Sequence, residues 1–178
     1  VLATVVVGFS PLTPVMIILI ALLDDVPIMT IAYDTTPLPR EPVRWQMRRL
    51  IFISGFMGVM AVAQSFGLLL IGMEWLSNPQ WQSWIHLTRD QIQTTVFLQI
   101  VAGGHLLLLV MRSRSSFINP PWPAMTMFIA IVGTQILAVL ICGFGWFVTA
   151  LPWTIIGLVW RYMLAWMIVL DRVKLALY

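Results

Sequence analysis

Two adjacent carboxylates, Asp24 and Asp25, lie inside the apolar run IALLDDVPIMTIAYD, and Pro27 follows two positions after Asp25. A carboxylate at the centre of a bilayer costs about 2.5–3.5 kcal/mol on insertion scales. Two together therefore point to proton or cation binding. Adjacent helical positions point about 100° apart, so the two side chains cannot serve one spot on an ideal helix. Pro27 has no N–H for the Leu23 carbonyl, and its ring crowds that carbonyl. These residues predict a helix broken near Asp24–Pro27, with carboxylates beside freed carbonyls, as in the broken helices of transporters. A carboxyl placed there would change protonation with its access to water, as a proton carrier must. The competing reading is a structural acid pair that satisfies a neighbouring helix.

Other polar residues carry weaker signals. Arg161 falls midway along an apolar stretch, where it is a possible counter-ion for the acids or a stem reaching an interface. Gln99 and His105 are possible supporting polar groups. Six residues apart, they are separated by about 600° of rotation and do not share a helix face. Gln64, Ser65, Thr134 and Gln135 are expected to make hydrogen bonds between helices. The single cysteine, Cys142, excludes a disulfide framework. The well-separated His86 and His105 exclude an HExxH zinc helix, so no metal site is expected.

The elements that must position these groups are membrane spans. Of 178 residues, 60% are hydrophobic and 10% charged, with a mean hydropathy of +0.94. A soluble domain carries about 25% charged residues. The chain reads as an all-α polytopic membrane bundle, with five full spans and the end of a sixth. The end of a span occupies 1–8, and Ser10–Pro14 makes a turn. The full spans are 15–33, 50–73, 91–111, 124–147 and 153–170, followed by a tail at 171–178. Gly55, Gly58, Gly67 and Gly72 are expected to let helices approach closely. Trp75, Trp81 and Trp84 suit the headgroup region. The chain opens on Val1 rather than Met, without the basic start of a signal peptide. The expectation is a piece of a longer protein.

Positive charge orients these spans. Arg40, Arg44, Arg48 and Arg49 share one predicted loop, Arg112 and Arg114 another, and Arg172 and Lys174 the tail. Alternating spans place all three segments on one side. The opposite loops hold only Arg89. The C-terminus is thus expected to be cytoplasmic.

ALLDDVPIMTIAYD resembles the sixth span of P-type ATPases, in the plasma-membrane proton-pump branch. There an aspartate follows Asn or Asp, and an I-M-T-I run and a further aspartate come after it. Here these are Asp24, Asp25, Ile28–Ile31 and Asp34. VFLQIVAGGHLLLLVMRSRS resembles the eighth span and its basic exit, IVGTQILAVLICGFGW the ninth, and LDRVKLALY the end of the tenth. TTPLPREPVRWQMRRL is similar to the loop between spans six and seven. The resemblance covers nearly the whole chain and is nearer to bacterial and archaeal members. Asp24 stands where plants commonly have Asn, and Val26–Pro27 where they have Gly-Thr. It implies that Asp25 accepts and donates the transported proton in a proton-exporting pump of the cell membrane. ATP and Mg²⁺ would be used by the complete pump. The DKTGT phosphorylation motif and the cytoplasmic ATPase domains are absent from these residues. The partners implied are H⁺, the lipid bilayer, and the remaining spans and cytoplasmic domains of the same pump, with no nucleic acid. The alternatives are a P-type pump for another cation and a stand-alone, non-catalytic helical membrane protein. The lack of an acid in the eighth span favours H⁺ over other cations.

Overall fold

The structure, a computed structural model, describes residue 4, residues 8–34 and residues 46–178. The expected span end at 1–8 lies almost wholly outside the described residues, as do Arg40 and Arg44. The described residues form helices α1 (Pro14–Thr30), α2 (Met47–Ser77), α3 (Pro79–Trp84), α4 (Arg89–Met111), α5 (Met125–Phe144) and α6 (Trp153–Leu177). All but α3 are long and apolar enough to cross a membrane, α1 together with the 3₁₀ turn Ile31–Tyr33 that continues it.

Local sequence sets the helix ends. Pro14 opens α1, and the Thr13 hydroxyl accepts from the Met16 N–H at 3.3 Å, as N-capping requires. Thr88 and Gln91 form a capping box on α4. Gly145 closes α5 at φ +74°, a left-handed conformation that glycine adopts without a Cβ penalty.

α1 does not break at Asp24–Pro27. It runs unbroken through a buried Pro27 to Thr30 and tightens into a 3₁₀ turn at Ile31–Tyr33. Proline removes one backbone bond, whereas unwinding would free several groups with no water to receive them. Losing one bond is the smaller cost.

The C-terminal residues also differ from the expected tail. α6 continues to Leu177, with Asp171 and Lys174 buried. Lys174 Nζ donates to the carbonyls of Val110 (2.8 Å) and Ser115 (2.6 Å) and pairs with Asp171 at 3.0 Å. Asp171 accepts from the Ser116 hydroxyl at 2.6 Å and the Phe117 N–H at 3.1 Å. These charges stay helical because they complete the polar groups of the segment that follows α4.

α4 is the central element and packs against α1, α2, α5 and α6. Phe97, Leu98, Val101 and Ala102 from α4 meet Ala138 and Cys142 from α5 and Val159 and Met163 from α6 in the main core. Ile53, Met57, Val110, Met167 and Leu170 form a second cluster. Of the glycines expected at close approaches, Gly67 and Gly72 behave so. A Cβ on Gly67 would lie 2.9 Å from the Tyr162 hydroxyl, and one on Gly72 3.1 Å from Ile92. Gly55 and Gly58 have no such neighbour within 4 Å among the described residues.

The basic segments converge on one end of the bundle. Arg49 and Arg114 lie over the Tyr178 ring, at 5.6 and 5.7 Å from its centroid. Arg49 also donates to the Tyr178 carbonyl. At the other end, Arg89 lies over Phe9 at 5.0 Å, and the Gln91 amide reaches the Ala150 carbonyl.

Candidate functional site

α1 separates the two acids as its rotation requires. Asp25 is exposed, while Asp24 is turned partly inward, against α4. Asp24 Oδ1 lies 3.2 Å from Nε2 of the buried His105. The two atoms are at ion-pair distance but are not aligned as a hydrogen bond, and neither has another hydrogen-bond partner among the described residues. On the far side of the imidazole, Gln135 Nε2 lies 3.2 Å from His105 Nδ1 and donates to the Ala102 carbonyl, also at 3.2 Å. A line of polar groups therefore runs from α1 through α4 to α5.

A cavity of about 430 Å³ borders the same acid, lined by Asp24, Gln64, Ser65, Gln99, Gly103 and residues around them. Gln99 is buried, and its Oε1 has no hydrogen-bond partner among the described residues. Gln99 and Gln64 crowd Gly103, where an added Cβ would meet their amide nitrogens at 3.2 and 3.5 Å.

The structure thus brings Asp24, Gln99 and His105 into one polar region, Asp24 touching both parts of it. Different faces of α4 were expected for Gln99 and His105. Because α4 is surrounded, both faces are interior. Arg161 is exposed on α6 and makes no ion pair with either acid within 4.0 Å. Among the interhelical bonds expected of other polar residues, Gln135 makes one. Ser65 and Thr134 bond back to their own helices, to Ala61 and to Ala130 and Ile131. The Gln64 carbonyl, rather than its side chain, receives the Tyr162 hydroxyl at 2.7 Å. Among the described residues, no group of three His, Cys, Asp or Glu side chains could hold a metal ion.

A second constellation joins the end of α1 to the loop before α5. Asp34 pairs with Arg112 and accepts from the Ala124 N–H at 2.9 Å. Arg112 also donates to the Trp122 carbonyl at 2.9 Å. In the sequence Asp34 belongs to the motif of the first full span and Arg112 to a basic loop. Only the folded chain joins them.

The family model described as "Cation transporting ATPase, C-terminus" matches residues 9–176. The chain belongs to this family. It is the C-terminal membrane part of a P-type ATPase, with five helices long and apolar enough to cross a membrane among the described residues. A Methanocaldococcus jannaschii protein named as a cation-transporting ATPase is 32% identical over 176 residues, covering 99% of this chain and 21% of the relative. Plasma membrane ATPase 2 of Schizosaccharomyces pombe is 30% identical, covering 83% of this chain and 14% of the relative. A Leishmania donovani protein named as a proton ATPase is 28% identical, covering 93% of this chain and 19% of the relative. The chain spans about a fifth or less of the length of each of these relatives.

Proposed function

We propose that this segment is the transport part of an ATP-driven, proton-exporting pump of the cell membrane, with Asp25 carrying H⁺ and Asp24 supporting it. Relatives named as proton and plasma membrane ATPases support the choice of ion and membrane. The observation that carries the role of Asp25 is its exposure among Leu22, Val26, Ile28 and Met29, an otherwise apolar face of α1. A carboxylate on a lipid-facing helix is costly. That face is better covered by the remaining spans of the pump, where Asp25 would meet ions during the cycle.

In this reading ATP and Mg²⁺ act on the cytoplasmic domains of the complete pump. The end of the bundle that carries Arg49, Arg114 and Tyr178 faces the cytoplasm, as the positive-inside rule requires. Conformational change opens Asp25 alternately to the two sides. The positive charge that would speed release is not Arg161 in the conformation described. A partner for Asp25 would come from another span.

ATP-driven acidification by the complete pump, reconstituted in vesicles, tests this. Asp25→Asn is expected to abolish proton transport and Asp24→Asn to reduce it. Full acidification by Asp25→Asn, with loss in Asp24→Asn, would reverse the two roles. Full activity in both would remove the acids from the mechanism. ATPase activity dependent on another cation would overturn the choice of H⁺.

A further inference from the structure

We propose that Gln135 fixes His105 as the Nε2–H tautomer and so makes it a dedicated donor to Asp24. The amide of Gln135 has two hydrogens, and the structure gives each a receiver: the Ala102 carbonyl and His105 Nδ1, both at 3.2 Å. The Ala102 carbonyl sets the orientation of the amide. Turned over, Gln135 would press its own oxygen against that carbonyl, lone pairs facing. With an N–H aimed at it, Nδ1 must be the acceptor. A neutral imidazole carries its single hydrogen on the other nitrogen, which is Nε2. That nitrogen lies 3.2 Å from Asp24 Oδ1.

The present contact is close but not aligned. Both atoms are buried and lack any other hydrogen-bond partner among the described residues, and an unmet buried polar group is costly. A small rotation of either side chain satisfies both. Asp24 is the one acid or base within ion-pair distance of the imidazole among the described residues. Gln135 from α5 is the polar group on its other side.

This arrangement separates the roles of the pair. The Nδ1 lone pair is occupied by Gln135, so the lone pairs open to an incoming proton are those of Asp24. His105 is then a positioning residue that holds the Asp24 carboxylate from the protein side. The assignment of the tautomer stands on geometry alone. Its value to transport rests on the proton-pump reading above.

The test is ¹⁵N NMR of the complete pump, labelled at histidine, in lipid and at a pH where it transports. Loss of one resonance pair in His105→Gln assigns the residue. The expected spectrum shows His105 protonated at Nε2 and bare at Nδ1. In Gln135→Leu, which keeps the apolar packing but removes the donor, both tautomers are expected. Gln135→Glu places an acceptor oxygen beside Nδ1 and is expected to draw the hydrogen there. An Nδ1–H tautomer or an imidazolium in the unsubstituted pump would overturn the proposal, as would a spectrum that Gln135→Leu leaves unchanged. The readout needs no transport measurement. Inactive roles for Asp24 and Asp25 would leave a correct tautomer standing, and a wrong tautomer would leave the acids' transport roles to be judged separately.

Discussion

Asp171 and Lys174 show how a terminal charge becomes structural. In the sequence they read as the orientation signal and tail of a last span. In the folded chain they are buried and hydrogen-bonded to the backbone of residues 110–117. Removing one partner of a buried pair costs about 3–5 kcal/mol, because the other charge is left uncompensated. Lys174→Met is therefore expected to lower the melting temperature of the detergent-solubilised pump markedly. The double variant Asp171→Leu/Lys174→Met should recover part of the loss. A melt unchanged by Lys174→Met would show that this pair does not hold the end of α6. The acids of α1 were legible from composition alone, since charge is scarce in this chain. His105 was legible as a candidate supporting group, but its place between Asp24 and Gln135 was not, because its sequence neighbours, Gly104 and Leu106, say nothing about α1 or α5.

The helix containing Pro27 shows where local reasoning gives way to surroundings. Proline in a helix interior predicts a break, and the adjacent acids made a broken, oxygen-rich site plausible. α1 instead remains helical through Pro27, which is buried, and the Thr30 hydroxyl donates to the Pro27 carbonyl at 2.7 Å. Pro27→Ala restores the missing N–H while removing part of a buried ring. The gain of a hydrogen bond, about 1 kcal/mol, then opposes a small packing loss. Near-native melting and transport are expected. Lost transport at unchanged melting would show that the pump cycle needs a state in which this helix opens. The five long helices were legible because uninterrupted apolar stretches of their length have few other uses. Their ends were less so: α2 begins at Met47 and reaches Ser77, beyond the expected 50–73, because polar residues at a membrane surface can still be helical.

Across the whole molecule, the bundle sorts its charges by end. Arg49 and Arg114 meet at Tyr178, while Arg89 stands at the opposite end with Phe9. Side-specific labelling checks the direction. Asn119→Cys and Ser83→Cys are both at exposed positions, and the native Cys142 is buried. With the cytoplasmic assignment, a membrane-impermeant thiol reagent should reach Ser83→Cys in intact cells and Asn119→Cys only in inside-out vesicles. The opposite pattern would invert the topology.

By itself the sequence determined that this chain lives in a membrane, how many long helices it forms, which ends carry positive charge, and that Asp24 and Asp25 are its costly residues. Those properties follow from hydropathy and charge summed along the chain. Tertiary structure decided which acid faces inward, that His105 and Gln135 stand in line behind it, and that Lys174 is buried. A helix fixes only the angle between its own side chains. What each meets depends on helices distant in sequence, and α4, packed against four of them, buries both Gln99 and His105 although they lie on different faces.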